Sequence, residues 1–303
     1  MQKKVGFNHI SPMTNTILTM GMGLVALLVL IPMALVVVVS FSSAESISQN
    51  GYSFFPSQWT LAAYQNLITT GTQIGRSYLM TITHTALGTV CSLSVMSMFA
   101  YVLAQPAFPA KKFYTFFLFF TMLFSGGLVP SYIVNTRILH LYDNFWIFIL
   151  PTMVNAFNVI ILRTFIQTTI PPSLFEAAKI DGANDFTIFF RIVLPLFKAA
   201  LATVALFSVV ARWNDWFTGM LYIENPRLVP LQTMLTSIQN NIDFIKQNAD
   251  VASSIDAQEM LKALPSESAR MAIVVLSTAP ILFAYPFFQR YFVEGMTVGS
   301  VKG

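Results

Sequence analysis

The chain has 303 residues, of which 55% are hydrophobic and only 10% are charged, and its mean hydropathy is +0.65. Soluble domains carry about 25% charged residues, so this composition excludes a soluble globular protein and assigns the chain to a bilayer. A formal charge of +4 and a pI of about 9.2 give no case for nucleic acid, because the basic residues sit at the ends of apolar runs, where membrane topology places them.

Apolar runs long enough to cross about 30 Å of hydrocarbon predict six transmembrane helices, at Ile17–Phe41, Arg76–Gln105, Phe113–Arg137, Phe145–Ile166, Ala199–Tyr222 and Met271–Val293. The fold class expected is all-α: a polytopic membrane protein with one transmembrane domain over 17–293, an N-terminal segment 1–16 and a tail 294–303. Ser42, Ser43 and Ala44 after the first run resemble a small-residue cleavage site. The run from 17 to 41 is nevertheless longer than the ~7–15 residues of a signal core, so a retained anchor is expected.

Orientation follows from Lys and Arg counted loop by loop. With the N-terminus inside, Lys3, Lys4, Lys111, Lys112, Arg163, Lys179, Arg191, Lys198, Arg290 and Lys302 are cytoplasmic. Arg76, Arg137, Arg227, Lys246, Lys262 and Arg270 are outside, and Arg212 lies within a span. Both termini are therefore predicted to be cytoplasmic.

Helix breakers interrupt several spans: Pro32 in the first, Gly126, Gly127 and Pro130 in the third, Pro280 and Pro286 in the sixth. They mark either ordinary kinks or helices packed around a pathway where freed carbonyls meet water. Polar residues inside the spans are also candidates for a path: Tyr132 and Asn135 in the third, Asn155 and Asn158 in the fourth, and Arg212, Trp213, Asn214, Asp215 and Trp216 in the fifth. Arg212 and Asp215, three apart, would share one face of a continuous fifth helix, and ionisable groups at membrane depth are functional candidates by default. An intrahelical pair that holds register, with tryptophans anchoring at the interface, is the competing account.

Between the fourth and fifth spans lies FEAAKIDGANDFTIFFRIVLP, in a loop covering 171–195. Pro171 and Pro172 end the preceding helix, and Ser173 with Glu176 reads as a capping box that starts a new one at Ser173. Gly182 supplies the positive φ of a helix end, and Asn184 or Asp185 can cap the segment that returns to the membrane. Glu176 and Asp181 put negative charge where cytoplasmic loops are usually positive. Ala177 and Ala178 keep the helix thin enough for a groove. The outer segment 223–269 contains Leu231, Leu235, Ile238 and Ile242 at amphipathic spacing, which suits either an external partner or packing over the bundle's own mouth. Ser266 is placed to cap the last span.

The run EAAKIDGA, followed after ten residues by Leu194-Pro195, resembles the EAA loop of the inner-membrane permeases of binding-protein-dependent ABC importers. Glu176, Ala177, Ala178, Asp181, Gly182 and Ala183 all fall in register with that motif. MLFSGGLVPSYIV, ILRTF, RWNDWFTGMLYI, LQTML and YFVEGMTVGSVKG are similar to the carbohydrate branch of the family, in its LplC/YtcP-like complex-oligosaccharide type and MalG-like half. The resemblance implies a type I importer permease whose loop helix docks into a cytoplasmic ATPase. It also implies a heterodimer with a second permease, two ATPase subunits that bind ATP and Mg, and an extracellular sugar-binding protein, in a prokaryotic cell membrane. Asn214 and Asp215 would then bond sugar hydroxyls and Trp213 or Trp216 would face pyranose C–H groups.

No G-x-x-x-x-G-K-[ST] occurs, so the chain is not itself the ATPase. His9, His84 and His140 are scattered, with no Cys or carboxylate cluster, and the single Cys91 allows no disulfide. No metal site, bound cofactor or catalytic constellation is expected. The alternatives are a permease of the same family for a non-sugar solute, or an ion-coupled secondary transporter, which would need inverted repeats and midplane carboxylates.

Overall fold

A computed structural model describes residues 11–69, 72–247 and 266–300. The ends expected at 1–16 and 294–303 lie partly outside these residues, as do His9 and most of the outer segment beyond Gln247. Among the described residues every regular element is helical, apart from one isolated antiparallel bridge between Ser42 and Trp59. The described residues fall into two units: 11–69 with 266–276, and 72–247 with 277–300.

In the first unit α1, Pro12–Ser40, is capped by Ser11, whose hydroxyl accepts from Thr14 N. Pro at its first position comes preorganised for a helix. Nearly all of its apolar side chains are exposed, as a lipid-facing span requires. α2, Ala44–Asn50, α3, Ala62–Thr69, and the first turns of α13, Glu267–Ser300, complete the unit. The expected cap of the last span is present, Ser266 Oγ accepting from Ala269 N at 3.3 Å.

The second unit is built on α4, Thr72–Ala104, which packs along α7, Ala156–Thr169, and α10, Lys198–Trp213. Their core combines Met96, Leu103, Val159, Leu162, Ile166, Phe197 and Val204, all essentially inaccessible. Two helix pairs are bent at short breaks, the first within the expected third span and the second joining the expected loop segment to the expected fifth span. α5, Lys111–Leu123, and α6, Leu128–Ile138, meet at 115° across the predicted Gly126-Gly127 break, where Gly127 adopts φ +86°. α9, Asp185–Leu196, and α10 meet at 80°.

Two spans differ from expectation. Phe145–Ile166 is not one helix: a 3-10 turn at Phe145–Phe148 gives way to non-helical backbone up to Asn155, where α7 begins. Pro151 has no N–H for a helical bond, and the Asn155 side chain accepts from Asn158 N at 3.0 Å, so α7 starts there. Ala199–Tyr222 is also broken. α10 ends at Trp213, and α11, Phe217–Tyr222, follows after a turn in which Asp215 Oδ1 accepts from Thr218 N at 3.0 Å. Asn and Asp side chains bond local backbone and so compete with helix continuation. α12, Leu231–Gln247, is the amphipathic helix expected from its spacing.

Candidate functional site

The loop helix α8, Pro172–Ile180, starts one residue before the expected Ser173. Its N-cap is Pro171 and no side chain caps it, so Ser173 and Glu176 form no capping box. The fixed φ of Pro172 initiates the helix instead. Asp181 closes α8, Gly182 takes φ +78°, and Asn184 Oδ1 accepts from Thr187 N at 2.8 Å to start α9. Glu176, Ala177 and Asp181 are exposed, together with Ile180 at 86% and Phe186 at 72%. Ala178 faces the other way, buried against the core with Ala183 partly buried beside it. The six loop residues thus divide into an exposed acidic and apolar corner and an inner anchor. Tyr101 on α4 donates to Asp185 Oδ1 at 3.3 Å, fixing the start of α9 to the bundle.

A cleft of about 220 Å³ opens between α4, α7 and α10, lined by Asn155, Asn158, Arg212 and Asp215 with Ser92, Met96, Thr152 and Ser208. Four path candidates from two separate stretches of sequence meet here. Arg212 and Asp215 form no helical pair, because α10 ends between them. Arg212 is 7% exposed and turns inward. Its Nη1 donates to Phe148 O at 2.6 Å, and its Nη2 donates to Ser92 Oγ at 2.5 Å and Thr152 O at 3.1 Å. Phe148 borders and Thr152 lies within the non-helical part of the broken span, so the guanidinium supplies hydrogen bonds that a helix would have supplied.

The other candidates lie elsewhere. Trp213 is buried and its Nε1 donates to Ser277 O at 2.8 Å. Asn214 bonds Val210 O of its own helix, and Trp216 O accepts from Thr233 Oγ1 at 3.0 Å. Tyr132 stacks on Tyr222 at 5.5 Å, and Asn135 Nδ2 donates to the Tyr222 hydroxyl at 3.1 Å. These contacts tie α6, α11 and α12 together. Beside them Asp143 Oδ1 accepts from Glu224 N and Asn225 N, and Tyr142 donates to Glu224 Oε1 at 2.6 Å, which pushes the Tyr142 phenol up to about 12. α12 packs on its own bundle at its start: Leu231 is buried and its N donates to Thr81 Oγ1 at 2.9 Å.

Sequence reading missed the α4 side of the cleft. Thr81, Thr85, Gly88, Thr89 and Ser92 recur at helical spacing and form one polar, small-residue face. A Cβ on Gly88 would sit 2.6 Å from Arg212 Nη1, so the guanidinium occupies space that only glycine leaves open. His84, stacked on Phe148 at 4.9 Å, has neither ring nitrogen hydrogen-bonded among the described residues, and the Thr85 and Thr89 hydroxyls are likewise unpartnered.

Helices long and apolar enough to cross a membrane, an exposed acidic loop helix and a polar cleft together define a membrane transport component. The model for the binding-protein-dependent transport system inner membrane component family matches residues 88–298, and the chain belongs to that family. It is 37% identical over 278 residues to the polygalacturonan/rhamnogalacturonan transport system permease protein YtcP of Bacillus subtilis (strain 168), covering 92% of this chain and 94% of that one. It is 38% identical over 283 residues to Protein LplC of the same organism, covering 93% and 92%. A chain in the crystal structure of a bacterial ABC transporter involved in the import of the acidic polysaccharide alginate superposes with a TM-score of 0.80 at 30% identity, covering 93% of this chain and 99% of that one. The chain is thus an all-α polytopic permease of the ABC importer class.

Proposed function

We propose that this permease takes up oligosaccharides delivered by an extracellular solute-binding protein, pairing with a second permease and two cytoplasmic ATPase subunits that hold ATP and Mg. The reading places it in a prokaryotic cell membrane with both termini cytoplasmic. Relatives named for polygalacturonan/rhamnogalacturonan transport and for arabinooligosaccharide transport support the substrate class. The observation that carries the coupling is the corner at α8: Glu176, Ala177, Asp181 and Ile180 lie exposed while Ala178 anchors the same helix to the core. Such a corner offers a partner subunit an apolar knob flanked by two carboxylates, which arginines can grip.

The mechanism is alternating access. α8 passes through the Gly182 turn into α9, and α9 joins α10 at 80°, so a force on α8 acts on α10 through a lever. α10 carries Arg212, which holds the broken fourth span, so movement at the loop reaches the cleft. ATP-driven closure of the ATPases thereby opens the cleft outward to receive sugar, and hydrolysis resets it.

The test is purification of the tagged chain from its native membrane with mass spectrometry of what accompanies it. A second permease, a P-loop ATPase and a sugar-binding protein are the expected companions, and recovery of the chain alone after mild crosslinking would sink the reading. In the reconstituted complex, Glu176→Ala and Gly182→Val are expected to lower sugar uptake at least about tenfold while the ATPase subunits keep hydrolysing ATP. Wild-type uptake by both variants would remove the coupling role.

A further inference from the structure

The first unit contains a cavity of about 520 Å³ that the transport reading does not use. Its volume falls within the range of about 300–1,000 Å³ typical of small-molecule sites. The wall carries Glu45, Gln58, Trp59, Thr60, Asn66 and Ser268, a carboxylate, two amides, two hydroxyls and one indole. Trp59 is 61% exposed, an unfavourable state for a large aromatic ring in water.

That exposure does not come from a loose loop. Trp59 is the residue that bridges Ser42, and the two segments are stitched by Ser43 N to Gln58 O at 3.1 Å and Thr60 N to Phe41 O at 2.7 Å. The Ser46 hydroxyl accepts from both the N and the Oγ of Ser57 at 3.0 Å, and Thr60 Oγ1 accepts from Ala62 N. The indole is therefore held out on fixed backbone. Among the described residues the side chains of Glu45, Gln58 and Trp59 make no hydrogen bond, so their donors and acceptors stand open at the cavity.

We propose that this cavity is a subsite for one neutral sugar unit of the transported oligosaccharide, on the outer side of the membrane; the proposal rests on the oligosaccharide reading and its orientation. The apolar face of a pyranose or furanose ring lies on the Trp59 indole, Gln58 bonds ring hydroxyls both ways, and Glu45 accepts from a hydroxyl pair. Among the described residues the one ionisable group lining the cavity is Glu45, so a uronate carboxylate is repelled there while a neutral unit is not. The site thus recognises uncharged positions along a chain.

The experiment uses the complete importer in proteoliposomes with its binding protein, and arabinohexaose and a galacturonate hexamer as probes. Trp59→Ala is expected to raise KM for arabinohexaose about 2- to 10-fold with the maximal rate and ATP hydrolysis unchanged, and Trp59→Phe to recover most of it. Arabinohexaose, but not the galacturonate hexamer, is expected to shield the Trp59 indole from iodide quenching. An unchanged KM in Trp59→Ala overturns the subsite. So does a defect that disappears when the binding protein is raised, which would make the cavity a protein-docking surface. A lower rate at normal KM that follows the amount of chain in the membrane overturns it too, leaving Trp59 an interfacial anchor. Failure of wild type to take up either probe would instead strike the oligosaccharide reading itself.

Discussion

Arg212 brings a positive charge into the bundle and surrounds it with neutral oxygen acceptors, two of them backbone carbonyls beside a break in the neighbouring span. Each buried acceptor left without its donor costs about 1–3 kcal/mol, so Arg212→Ala is expected to destabilise the chain by several such increments. The space for the guanidinium depends on Gly88, and Gly88→Ala forces a Cβ against Nη1 and Cζ. The two changes are therefore expected to be strongly non-additive, Gly88→Ala being costly in the wild-type chain and nearly silent once Arg212 is alanine. Thermal unfolding of the four chains of this cycle in detergent reads the coupling; additivity within about 0.5 kcal/mol would show that the two residues do not share the space. The sequence marked Arg212 as a site but gave it Asp215 as partner. Besides Ser208 one turn back, its partners lie 60 to 120 residues away, and no local spacing encodes those.

Breaks within helices decide where the polar groups of this chain meet. The break at Gly126-Gly127 was legible because glycine alone adopts φ +86° at little cost, and the turn at Gly182 for the same reason. The breaks at 149–155 and at Asn214-Asp215 were not, because both stretches keep apolar neighbours and their competing bonds come from the side chains of Asn155, Asp215 and Arg212. α12 shows a further division. Its amphipathic period was plain, but whether its face covered the bundle or awaited a partner was decided only by contacts with α4 and α11. Gly219 on α11 makes that contact testable, since a Cβ there collides with Thr233 Oγ1 and presses on Pro230. Gly219→Ala is expected to lower stability by about 1–3 kcal/mol, and Thr233→Ala in the same chain to restore part of it. A Gly219→Ala chain that melts like wild type would mean that α12 does not rest on α11.

At the scale of the whole molecule, membrane class and family were readable from hydropathy and one loop motif, whereas the course of the spans was not. Two described helices are long and apolar enough to cross alone, and two more spans follow only if each bent pair is one, because length and apolarity count residues and cannot sense a turn of 115° or 80°. Orientation rests on ten basic residues against six, and the loop corner at α8 can reach a cytoplasmic ATPase only if that count is right. Ser48 on α2 and Ile180 on α8, both exposed, fall on opposite sides of the membrane in this scheme. With the single native cysteine removed as Cys91→Ser, a membrane-impermeant maleimide applied to intact cells is expected to label Ser48→Cys at once and Ile180→Cys only after permeabilisation. The reverse pattern would put α8 outside and break the link between the Arg212 cleft and any ATP-driven motor. Labelling of both from outside would mean that an even number of crossings separates the two residues, so that one of the three spans drawn between them, such as the bent pair α5–α6, does not traverse the bilayer. The expected pattern puts the acidic corner in the compartment that holds ATP, which is what force transmitted through α8, α9 and α10 requires.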